Sequence, residues 1–238
     1  MTLTWLIGLF STTLGISIGG GIAWFLKEFH KSIATIYAVC GGLVVGLISF
    51  EIAPEAIYMG DWFIVGLGFL TGVILFELLH KALHKKKYGK KENDLHLQTG
   101  LLLILGISLH NLPMGIVLET THQSSVSMSI LPALILHNIP EGIILFTPLF
   151  MVGISTYRFW LISIIVALPV AVGALCGGVI ERDNTLLVAY IISLTIGIIL
   201  MITVKEILIE AINQSSVLYC LLIALIGFTL IGIYFNLI

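Results

Sequence analysis

Two near-copies of one short phrase hold residues able to bind a metal ion: His110-Asn111-Leu112-Pro113-Met114-Gly115 and His137-Asn138-Ile139-Pro140-Glu141-Gly142. Imidazole nitrogens with one carboxylate are a borderline-soft ligand set, suited to zinc and also to iron, cobalt, nickel or copper. Each phrase lies inside an apolar run long enough to cross a bilayer. A lone His or Asn there ordinarily serves one helix–helix hydrogen bond, worth about 0.6 kcal/mol. Two copies, one with an in-register Glu, point instead to a ligand set, because an intramembrane carboxylate is costly and calls for a use.

On a helix, residues i, i+1 and i+4 share a broad face. His137 and Glu141 therefore stack on one side with Asn138 beside them, and His110, Asn111 and Met114 repeat the arrangement one run earlier. The short link near Thr120–Ser127 predicts antiparallel neighbours whose half-sites lie at similar depth and face each other. Pro113 and Pro140 have no N–H for the carbonyls of Leu109 and Leu136, so each kinks its helix beside the His. A freed carbonyl at mid-membrane survives only against protein or a wet cavity. Gly115 and Gly142 permit close approach of another helix.

The elements that must carry these residues follow from composition. The chain is 58% hydrophobic and 10% charged, with a mean hydropathy of +1.13. Soluble domains carry about 25% charged residues, which excludes an ordinary globular protein. Eight apolar runs, at about 3–25, 33–57, 62–83, 99–120, 127–151, 157–180, 186–210 and 216–237, come near the roughly 20 residues a bilayer requires. The expectation is an all-α, polytopic membrane bundle of about eight helices forming one domain over residues 1–238. The first run lacks a preceding basic residue and is longer than a signal-peptide core, so it is read as a retained span. Cys40, Cys176 and Cys220 lie in apolar runs without CxxC spacing and are expected to be buried free thiols.

Lys and Arg set the orientation. With the N-terminus outside, nine of them (Lys27, Lys31, Lys81, Lys85, Lys86, Lys87, Lys90, Lys91 and Arg158) fall inside, and Arg182 alone falls outside. Both termini are thus expected outside and the loop 84–98 in the cytoplasm. That basic loop reads as a topology anchor touching anionic lipid. A metal-sensing role for His80, His84 and His96 is disfavoured, because the lysines around them repel cations. No nucleic-acid partner is expected.

The second run ends in Glu51-Ile-Ala-Pro54-Glu55-Ala56 and the seventh in Glu206-Ile-Leu-Ile-Glu210-Ala211. Both carry Glu-x-x-x-Glu-Ala, at opposite mouths of the membrane. Three spans, a central pair and three spans of reversed sense are what an inverted 3+2+3 repeat requires. Glu51, Glu55, Glu206 and Glu210 are read as mouth carboxylates that attract or relay cations. Glu77, Glu119 and Glu181 receive no role.

The HNxPEG phrase in the fifth span, its near-copy in the fourth, eight spans, outside termini and a charged loop after the third together resemble the ZIP (Zrt/Irt-like) divalent-metal transporters. The resemblance covers the whole chain in span order. It implies movement of zinc or a related divalent metal into the cytoplasm. It also implies a primary site using His110 and Glu141, with Asn111, His137 and Asn138 lining it or an adjoining second site. Three departures bear on this expectation. Met114 stands where the family usually has a bridging Glu, and no carboxylate lies between Phe159 and Ile180, so one bound metal is expected rather than two. Met114 is read as a gap-filling apolar residue in preference to a thioether ligand. Lys205 stands where relatives tend to have an acidic residue or His, and a buried ammonium must snorkel, pair or lose its charge. The alternative function is a non-transporting metal-binding sensor or partner subunit. An intramembrane metallohydrolase is disfavoured because HExxH is absent and the one motif Glu serves better as a ligand. The short loops suggest a bacterial inner membrane, and small-residue runs permit a homodimer.

Overall fold

The computed structural model describes residues 3–28, 33–84, 92–121, 127–177 and 184–237. Among them there is no strand. The helices are α1 (Thr4–Glu28), α2 (Ile33–Leu47), α3 (Ala53–Met59), α4 (Trp62–His84), α5 (Glu92–Thr121), α6 (Ser127–Met151), α7 (Thr156–Gly177), α8 (Thr185–Ile202), α9 (Ile209–Gln214) and α10 (Val217–Leu237). A π-helical turn (Ile48–Ile52) joins α2 to α3 as one rod, and a second (Thr203–Leu208) joins α8 to α9. Among the described residues, eight helices or joined rods are long and apolar enough to cross a membrane. The chain is a polytopic helical bundle, with the spans in the expected order.

The loop expected at 84–98 is shorter than its polarity suggested. α4 runs through His84 and α5 begins at Glu92, while Lys85–Lys91 lie outside the described residues, as do Lys31 and Arg182. Of the cysteines, Cys40 and Cys220 are buried, but Cys176 is exposed, against expectation. Composition alone could not separate a lipid-facing apolar position from a buried one, because both are apolar.

The wide turns have local causes. Pro54 cannot donate the α-helical bond to the carbonyl of Phe50, and the Ala53 N–H instead reaches back five residues to the Ile48 carbonyl. Ser49 Oγ also donates to the Val45 carbonyl at 2.7 Å. In the second turn the Ile209 N–H reaches the Val204 carbonyl, beside Thr203 Oγ1 donating to Ile199 at 2.8 Å. Hydroxyls that capture the carbonyl four residues back commonly loosen a helix there. Both rods bury every fourth residue across the turn: Val44, Ile48, Ile52 and Ala56 in one, Ile199, Thr203, Ile207 and Ala211 in the other. In a regular α-helix that spacing drifts about 40° per step. The wide turn takes up the drift and keeps the stripe on one face.

The helices pack as two groups. α6 packs mainly on α1, α5 mainly on α7, and α1 also meets α7. In the second group α2 packs on α10, α4 on α8, α3 on α8 and α2 on α9. α5 against α8 and α2 against α6 join the groups. The two motif helices α5 and α6 do touch, but each finds its most extensive partner elsewhere.

Candidate metal site

α5 and α6 carry their motif histidines to a common point. His110 Nε2 lies 3.2 Å from His137 Nε2 and 3.4 Å from Glu141 Oε1, and His137 Nε2 lies 3.6 Å from that same oxygen. Zinc bonds of about 2.0–2.1 Å in a tetrahedron separate ligand atoms by about 3.3–3.4 Å. The triangle already has that size. All three residues are buried, and they form a cluster of His and carboxylate groups able to hold a metal ion. His110 Nδ1 and Glu141 Oε2 are buried with no hydrogen-bond partner among the described residues. The second oxygen is therefore free to serve as a further ligand.

Backbone chemistry makes this convergence possible. Pro113 and Pro140 lie inside their helices one turn from each His, and the glycines let those helices pack backbone to backbone. A Cβ on Gly142 would stand 2.3 Å from the Ile16 carbonyl oxygen of α1, and one on Gly115 2.0 Å from that of Val170 on α7. Neither position admits a side chain without a shift of the neighbouring backbone.

The other sequence candidates fall around this cluster. Asn111 Nδ2 donates to the Val166 carbonyl of α7 at 2.8 Å. Asn138 Nδ2 donates to Leu134 of its own helix at 2.7 Å, leaving its Oδ1 buried and unpartnered. Met114 packs with Leu118, Leu134 and Val170, in agreement with its apolar reading. Glu51 is no mere mouth residue. Its Oε2 lies 2.9 Å from His137 Nδ1, delivered by the π-helical turn after α2. Glu55, in the next helix, is half-buried and outside the cluster. A crevice of about 290 Å³ between α2, α6 and α10 reaches both Glu51 and His137. Toward Thr203 and Ile207 there is instead a cavity of about 30 Å³ against Glu141, walled by Leu103, Ile107, Ile144, Ile199 and Ile202.

A second polar group lies beyond that wall. Glu206 accepts from Thr99 Oγ1 of α5 at 3.1 Å and lies 3.0 Å from His80 Nε2 of α4. Lys205 is paired with Glu77 of α4, which decides among the alternatives open to that ammonium. Glu210 accepts from Gln214 at 2.7 Å. Glu77 and Thr99 were missed from sequence, and His80 was read only as a loop residue. The signal for Glu77 was its place as the only acidic residue in a long apolar run, which demands a partner. Its spacing to Lys205 gave no hint of which.

Fold and cluster together define a class, a polytopic helical membrane protein with a buried two-histidine, one-carboxylate site. The family described as ZIP Zinc transporter matches residues 80–234. The match spans more than half of the sequence, and the chain belongs to that family. A comparison with curated proteins finds no match. Family membership implies divalent-metal transport and sets the chain apart from enzymes.

Proposed function

We propose that the chain carries zinc, or a divalent ion of similar chemistry, into the cytoplasm through one site ligated by His110, His137 and Glu141. The observation that carries this reading is the triangle of 3.2, 3.4 and 3.6 Å between their ligand atoms. Three protein ligands leave a coordination position open, as a site that must take up and release its ion requires. Asn111 and Asn138 line the site through the backbone contacts they fix. The crevice at Glu51 and His137 serves as the way in from the outer side, with both termini outside. The apolar wall of Leu103, Ile107, Ile199 and Ile202 closes the inner side, and Glu206 with His80 lies on the way out.

The mechanism proposed is alternating access, in which the group holding α5 and α6 moves against the group holding α2 and α8. The reading of the chain as an inverted repeat is in keeping with it. The main helix pairings keep their pattern when spans one, two, three and four exchange with six, seven, eight and five, and the buried stripes repeat residue for residue. Proton and metal compete for the same lone pairs, so metal affinity falls from about pH 8 to about pH 5, across the range in which histidines titrate.

The test is zinc uptake into proteoliposomes by the purified protein beside its Glu141→Ala variant. Saturable uptake lost in the variant is the expected result. Tight zinc binding without any uptake would replace the transporter reading with that of a metal-binding sensor or partner subunit.

A further inference from the structure

We propose that Glu51 is a positioning residue for the metal site, acting through His137 and not as a ligand. The proposal rests on the reading of His110, His137 and Glu141 as the ligand set. An ionised carboxylate can only accept hydrogen bonds. Its oxygen at 2.9 Å from His137 Nδ1 therefore places the proton on that nitrogen. The lone pair is left on Nε2, the atom that faces His110 and Glu141 at 3.2 and 3.6 Å. The two ring nitrogens point in diverging directions, so a carboxylate on the Nδ1 side stands across the ring from the metal position. That arrangement fixes tautomer and ring orientation and raises the basicity of the ligand.

His110 lacks such support. Its Nδ1 is buried without a partner, so the two imidazoles differ in strength although their sequence surroundings nearly match. Glu51 also comes from the other helix group, through the π-helical turn between α2 and α3. His137 is therefore held in its binding tautomer only while the two groups keep this relative position. A displacement that withdraws Glu51 weakens the site at the moment the ion must leave. Glu51 lies outside the residues 80–234 that match the family, so this role does not follow from that match.

The experiment measures zinc affinity of the full-length protein in detergent by competition with a chromophoric chelator. Glu51→Ala weakens zinc binding about 10- to 100-fold. Glu51→Gln, which keeps an acceptor oxygen but no charge, recovers most of that loss. In a His137→Ala background, Glu51→Ala adds nothing further, since a residue acting only through another shows no effect once that other is gone. An unchanged affinity in Glu51→Ala overturns the proposal, as does Gln no better than Ala, or an equal loss in both backgrounds. If His137→Ala abolishes measurable binding, the Gln and Ala comparison decides alone. A wild-type protein that binds no zinc sinks the ligand set itself, whereas wild-type binding untouched by Glu51→Ala sinks only the positioning role.

Discussion

The two copies of the motif are alike in their backbone work and unlike in their chemistry. In each, the proline sits inside the helix and the glycine lies against a carbonyl of a neighbouring helix, Val170 for Gly115 and Ile16 for Gly142. The α6 copy then contributes two residues, His137 and Glu141, to the cluster able to hold a metal ion, while the α5 copy contributes His110 alone. Met114, at the motif position that Glu141 holds in the other copy, packs in an apolar cluster instead. The packing features of the phrase are thus common to both copies, whereas its polar cluster residues are not.

The largest break in that comparison is expected from Glu141→Ala. Removing the only carboxylate of the triangle lowers zinc affinity by more than about 100-fold, beyond what loss of an orienting partner produces, as read by chelator competition. His110→Ala and His137→Ala follow, each removing one of three ligand atoms. His137→Ala has the added consequence of leaving Glu51 without its partner, so a larger loss of thermal stability is expected there than in His110→Ala. The shared backbone role is tested by Gly115→Ala and Gly142→Ala. Both force a Cβ within 2.0–2.3 Å of a carbonyl oxygen and destabilise by about 1–3 kcal/mol, measured by thermal unfolding in detergent. A large loss in one and none in the other would end the claim that the copies pack alike. Asn111→Ala removes a buried hydrogen bond to Val166 and costs about 1 kcal/mol. Zinc affinity unchanged in that variant would mark the Asn as support, and a drop like that of His110→Ala would make it a ligand. Met114→Leu is the smallest change, an apolar swap of similar volume costing less than about 1.5 kcal/mol with zinc binding unmoved.

The eight spans and the convergence of the motif residues were legible because each obeys a strong constraint, although His137 was read as lining the His110–Glu141 pair or an adjoining site rather than as its equal. Hydrocarbon demands about 20 apolar residues per helix, and the i,i+4 spacing of His137 and Glu141 can be read without knowing the fold. The choice of packing partner was not legible. In a soluble bundle the polar face of a helix marks what points outward, but here Leu70 on α4 and Leu222 on α10 are exposed and as apolar as the buried Leu102 and Leu145. The sequence therefore suggested α5 against α6, where the structure prefers α7 and α1. Lys205 and Glu77 lie 128 residues apart, and charge complementarity named no partner among several candidates. One further sign was present but unused. Apolar or small residues at every fourth position from Val44 to Ala56, repeated from Ile199 to Ala211 around Thr203, exceed what a regular helix can hold on one face.

A helix is a screw, and the turn at Ile48–Ile52 is a place where the thread carries one residue more than its pitch calls for. Restoring an even thread by deleting a single residue there would rotate one side of the rod against the other by about 100°. Glu51 would swing off His137 while composition, charge and hydropathy stayed almost as they are. The acid–imidazole contact at this site therefore depends on how many residues precede it as much as on which residues they are.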